Sequence, residues 1–148
     1  MQAQHQEVQL PRSTQAQVAR LVLQANLAYS ESNSQGLAFA QRLQARKEAR
    51  EYLQQALQLQ ADNATALGLL GRVEMDDGQL EKAHALFNES LNSQPGQEQQ
   101  YCNLGYWALK TERPALAEEY FVAALECNRQ SAAAFCGIAH ARRLQGQF

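Results

Sequence analysis

The chain has 148 residues, 45% of them hydrophobic, with only 8 glycines and 3 prolines and a formal net charge of -2. That is enough for one domain with a core, and it lacks the cationic excess of a protein that holds nucleic acid by its phosphates. No run reaches the roughly 18 apolar residues of a membrane span, and the polar, glutamine-rich start has no secretory-signal pattern, so a cytoplasmic protein is expected unless a leader was removed from a longer parent.

Alanine, leucine and glutamine dominate and β-branched residues are few, which predicts an all-helical protein. Residues 1–12 offer little to bury and are expected to be flexible. The first helix is expected over about 14–30. Thr14-x-x-Gln17 has the form of a capping box, and Val18, Leu21, Val22, Ala25, Ala28 and Tyr29 share one face. Ser30 to Ser34 reads as a loop. A second helix over about 36–60 would turn Phe39, Leu43, Ala49, Tyr52, Leu53, Ala56 and Leu57 inward. Five more helices are expected over about 63–76, 79–93, 98–110, 114–127 and 131–145. Gly78 suits a left-handed helix end, Pro95 cannot continue a helix, and Pro114 suits a first turn.

Three series recur with a period of 34 residues. Leu67-x-x-Leu70-Gly71, Tyr101-x-x-Leu104-Gly105 and Phe135-x-x-Ile138-Ala139 form the first. Ala49-x-x-x-Leu53, Ala83-x-x-x-Phe87 and Ala117-x-x-x-Phe121 form the second, and Leu57, Leu91 and Leu125 the third. Small residues at Gly71, Gly105 and Ala139 would let each first helix approach Ala83 or Ala117 on a second helix. The order of large residue, Leu-Gly, Ala-x-x-x-Phe and Pro resembles the tetratricopeptide repeat. Residues 64–97 match best, through Leu67, Leu70, Gly71, Gly78, Ala83, Phe87 and Pro95. The next repeat departs at Glu112, where the family usually has glycine, and at Arg129, where it usually has proline.

The resemblance implies a right-handed α-solenoid of antiparallel helix hairpins with about seven helices. It divides 13–148 into an irregular hairpin (13–62), two repeats (63–97 and 98–130) and a further first helix or capping helix (131–148). That last helix would lack a hairpin partner, and the favoured reading is a chain cut from a longer protein. Phe135, Ile138 and Phe148 would leave its outer face only partly polar, which predicts homodimers of the isolated chain.

The family also implies a ligand groove lined by the first helix of each hairpin. The positions turned away from the Leu/Gly face are Gly68, Arg72, Met75 and Asp76, then Cys102, Tyr106, Leu109 and Lys110, then Cys136, His140, Arg143 and Leu144. From these and Asn103, the candidate partner-binding residues are Arg72, Met75, Asn103, Tyr106, Leu109, Lys110, His140 and Arg143. Their mixture of cations and apolar anchors fits a protein or peptide partner with acidic groups. Some family members clamp a chaperone's C-terminal carboxylate with Lys, Asn and Arg on three first helices. In this register only Asn103 matches, against Gly68, Arg72, Ala133 and Gly137, so clamp binding is not expected.

Cys102, Cys136 and His140 would sit on neighbouring helices but lack a fourth ligand, so no metal site is expected. Trp107 reads first as packing against the preceding hairpin. Asp76-Asp77, at an unfavourable helix end, is expected to be tolerated by exposure. No phosphate loop, nucleophile elbow or HExxH is present, and His5, His84 and His140 lie on different units, so neither catalysis nor a cofactor is expected. The leading expectation is an interaction scaffold. The alternatives are a regulatory or targeting segment of a larger enzyme, and a self-assembly module.

Overall fold

A computed structural model describes residues 9–146. Seven α-helices follow one another: α1 (Arg12–Ser32), α2 (Phe39–Leu59), α3 (Ala64–Asp76), α4 (Leu80–Ser93), α5 (Glu98–Lys110), α6 (Pro114–Cys127) and α7 (Ala132–Leu144). They form an all-α solenoid in which α1/α2, α3/α4 and α5/α6 are hairpins and α7 packs on α6. Among the described residues no helix is long and apolar enough to cross a membrane.

Glycine sets how closely the helices pack. A Cβ at Gly71 would lie 2.5 Å from the Phe87 ring, and one at Gly105 would lie 2.5 Å from the Phe121 ring. Both rings are fully buried, so each aromatic of a second helix rests on bare backbone of its first helix. Gly137 repeats the device on the far side of Phe121, at 2.4 Å, and so seats α7 on α6. Ala139, which the period places beside Gly71 and Gly105, is exposed, because no second helix covers that face of α7 among the described residues.

The solenoid is curved. The first helices touch in series, α1 with α3, α3 with α5 and α5 with α7, whereas α2, α4 and α6 make no contact with one another. The odd-numbered helices therefore line the concave side.

The first hairpin differs from its sequence-based expectation. Pro11, its φ fixed by the ring, stands at the N-cap of α1, and Thr14 is already helical, so Thr14 caps nothing. The helix also runs through the expected loop as far as Ser32, whose buried hydroxyl bonds the Tyr29 carbonyl at 2.6 Å. On α2 the buried stripe is Ala45, Ala49, Leu53 and Ala56. Leu43 lies two residues from Ala45, about 200° round the helix. Leu43 is exposed and Phe39 is 73% exposed, correcting their inward assignment. Phe148 and residues 1–8 of the expected flexible start lie outside the described residues.

Asp76 and Asp77 are not simply exposed. Asp77 accepts hydrogen bonds from Arg46, at 2.6 Å, and from Arg50, while Arg50 also reaches the buried Glu74 at 2.8 Å. Burial pushes the Asp77 carboxyl up, but the bonds from Arg46 and Arg50 outweigh it and hold the group below the usual carboxylate range. The acidic end of α3 is thus the anchor that ties α3 to α2.

Candidate functional site

A cavity of about 570 Å³ opens on the concave side between α1, α3 and α5. Helix α1 contributes Ala19, Val22, Leu23 and Asn26; α3 contributes Gly68, Leu69 and Arg72; α5 contributes Gln99, Gln100 and Asn103, with Asn63 and Thr65 at the start of α3 completing the lining. Five of these are carboxamides, one is a cation and none is a carboxylate.

The floor depends on Gly68. A Cβ there would lie 2.1 Å from the Gln100 side-chain nitrogen, so the missing side chain lets the Gln100 carboxamide lie against α3. Gln100 is 4% exposed and accepts a hydrogen bond from Asn103 at 3.1 Å. Asn103 in turn accepts one from Gln99 at 3.2 Å. These three side chains form a hydrogen-bonded row across the base of the groove. At its end Asn63 caps α3 by accepting from the Ala66 amide at 2.9 Å. Above the row Leu23, 58% exposed, and Val22 supply an apolar wall.

Arg72 is half-buried, with its guanidinium carbon 4.8 Å from the centre of the Tyr29 ring. The Tyr29 hydroxyl donates to Asp76 at 2.6 Å.

Of the residues expected in a groove, Arg72 and Asn103 line this cavity. Met75 does not, because it is 7% exposed and belongs to the core around Phe87 and Trp107, which removes it from the candidates. Gly68 lines the floor as backbone, and Cys102 is buried rather than turned outward. Tyr106 is 38% exposed and stands edge-on to Phe121 with ring centres 5.2 Å apart. Leu109 packs partly on the core. Lys110, His140 and Arg143 are exposed but lie outside the cavity lining. The α1 residues Leu23 and Asn26 and the α5 residues Gln99 and Gln100 were missed. The 34-residue period does not reach α1, and nothing in the sequence distinguishes Gln99 and Gln100 from the many other glutamines.

Other sequence candidates fall elsewhere. Trp107 packs on the preceding hairpin, donating to the Leu80 carbonyl at 2.8 Å and stacking on His84 at 4.2 Å. Burial pushes the Cys102 thiol up, away from the thiolate that metal binding requires. Cys127 and Cys136 are exposed and unpaired. Among the described residues no three of His, Cys, Asp and Glu converge as metal ligands.

Comparison with known proteins agrees with this architecture. No curated protein matches the sequence. Among solved structures, an O-GlcNAc transferase variant from Thermobaculum terrenum superposes with a TM-score of 0.76 at 22% identity over 90% of this chain. The chain spans only 23% of that transferase. The TPR domain of Arabidopsis OM64 superposes with a TM-score of 0.71 at 15% identity, covering 88% of this chain and 98% of that one. The second TPR domain of human RPAP3, in complex with the HSP70 peptide SGPTIEEVD, gives a TM-score of 0.70 at 11% identity over 87% of this chain and 98% of that one. At such identities the likeness is one of fold. The tetratricopeptide repeat model itself matches residues 42–104. With the 34-residue motif series and the stacked hairpins, that match supports assigning the chain to the tetratricopeptide repeat family.

Proposed function

We propose that this chain is a non-catalytic interaction scaffold that holds an extended segment of a partner protein in the α1–α3–α5 groove. The observation that carries the reading is the lining: five carboxamides, an apolar wall and a single guanidinium. A carboxamide both donates and accepts, and so matches the peptide backbone of any sequence. The apolar wall suits one or two side-chain anchors, and Arg72 suits an acidic one. The peptide bound to the RPAP3 domain, with its two glutamates and final aspartate, is a precedent on a similar fold.

A chaperone-tail clamp is not the favoured mode. One repeat before the positions weighed on sequence stand Leu69 for the asparagine, and Gln99 and Asn103 for the two cations. Neutral amides at those places suit a main chain better than a terminal carboxylate pair.

The test is partner capture from a host extract by the whole chain and by variants of matched helicity. Leu23→Asp and Arg72→Glu are expected to lose the captured protein, while Lys82→Glu on the outer helix α4 keeps it. Capture unaffected by either groove substitution would sink the model.

A second reading is supported by the Thermobaculum transferase, in which a similar fold is part of a larger enzyme chain. In that reading the groove recruits a protein to an enzyme encoded in the same reading frame, and a stop codon directly after position 148 would remove it. Self-association also has an observation in its favour, since Phe135 and Leu144 on α7 are each 54% exposed. Sedimentation of a monomer at high concentration would dispose of it.

A further inference from the structure

Arg72 and Asp76 stand four residues apart on α3, the spacing at which a guanidinium and a carboxylate ordinarily pair on a helix. They form no ion pair here. The ion pairs among the described residues are Arg46–Asp77, Arg50–Glu74, Arg50–Asp77 and Arg142–Glu118. Tyr29 of α1 takes both members instead. Its hydroxyl donates to Asp76 at 2.6 Å, and its ring lies under the Arg72 guanidinium at 4.8 Å. The ring is only 5% exposed, so the packing of α1 fixes it. Burial, followed by the bond to Asp76, pushes the Tyr29 hydroxyl up, so it remains a donor at neutral pH.

An aromatic face attracts a cation without neutralising it, whereas a carboxylate would neutralise it. Arg72 is the one charged residue of the groove lining. We propose that Tyr29 is a positioning residue that diverts Asp76 and so keeps Arg72 free to select a bound segment carrying a carboxylate side chain. The proposal rests on the reading that the groove binds an extended segment, and it adds the residue that sets the selectivity.

The probes are two acetylated, amidated nonapeptides of alternating alanine and glycine, identical except for a central glutamate or glutamine. Each is titrated into the ¹⁵N-labelled chain while the amides of α1, α3 and α5 are followed. The glutamate peptide is expected to bind about tenfold more tightly, the size of one charge-assisted hydrogen bond. Tyr29→Phe keeps the ring but releases Asp76 onto Arg72, and should cut the preference to about twofold or less. Tyr29→Phe combined with Asp76→Asn should restore it, and Arg72→Gln should abolish it. A tyrosine that served packing alone would not be rescued by the second substitution.

Equal affinity for the two peptides, or a full preference surviving Tyr29→Phe, overturns the proposal and leaves the groove reading standing. Groove amides moved by neither peptide count against both. The Arg72 Nε–H resonance gives a readout without peptide. It should shift in Tyr29→Phe and return in the double variant, and an unmoved resonance also overturns the proposal.

Discussion

At position 112 the backbone turns with φ 60°, the only positive value at a described residue other than glycine. The equivalent positions one repeat before and after, Gly78 and Gly146, adopt φ 80° and 73°. Each ends a first helix, and a left-handed residue there closes the turn. For Glu112 this conformation crowds the Cβ against the following carbonyl, at a cost of about 1–2 kcal/mol that glycine avoids, though glycine returns part of the gain as unfolded-state entropy. Glu112→Gly is therefore expected to stabilise the chain by about 1 kcal/mol in urea unfolding, with an unchanged m-value. Destabilisation would mean that the Glu112 side chain holds the turn by contacts absent from the structure. The departure from the repeat pattern at this residue was legible in sequence, and the strained turn gives it physical content.

At the scale of elements, the 34-residue period located α3 to α7 to within a residue or so, because each repeat reuses the same Leu-Gly and Ala-x-x-x-Phe contacts. The first hairpin was less legible. On its second helix the apolar residues Phe39 and Leu43 lie off the buried Ala45–Ala49–Leu53–Ala56 stripe, so apolar character alone does not mark the inward face. The α2–α3 contact could not be foreseen at all. It depends on Arg46 and Arg50 meeting Asp77 and Glu74 across 24 to 31 residues, a crossing that no local pattern encodes. Arg50 is the centre of that knot. Its loss would leave Glu74, whose side chain is 11% exposed, without its partner, at a cost on the order of 2 kcal/mol. The pH dependence follows from Asp77. A carboxyl held below its unfolded value adds stability that is fully present above about pH 5 and fades as the pH falls through the native value. Wild-type midpoints in urea are expected to fall between pH 5 and pH 3. Arg50→Ala should be weaker at pH 7 and show a shallower fall. Parallel pH profiles for the two proteins would place the acid-sensitive group elsewhere.

For the whole molecule, stability is expected to be distributed along the chain, because every helix touches only near neighbours. The interior helices α3 to α6 are packed on two sides, and α4 and α6 bury Phe87 and Phe121 completely. Helix α7 fully buries only the small residues Ala134, Gly137 and Ala141, with Ile138 half-buried and Arg142 paired with Glu118, and has no helix on its other side among the described residues. Three small residues bury little apolar area, so this end should open at a free energy well below that of global unfolding. Hydrogen exchange followed by mass spectrometry tests this directly. Amides of α7 are expected to exchange at least tenfold faster than those of α3 and α5, with α1 and α2 intermediate because the Arg46/Arg50 knot and Tyr29 fasten them to α3. The groove lies between α1, α3 and α5, so it sits in the better-protected part of the molecule. A ligand there should raise protection on α1 and α3 while leaving α7 unchanged, because no residue of α7 lines the cavity. Protection rising first on α7 would instead place the binding surface on the uncovered end of the solenoid, and would transfer the functional assignment from the concave groove to α7.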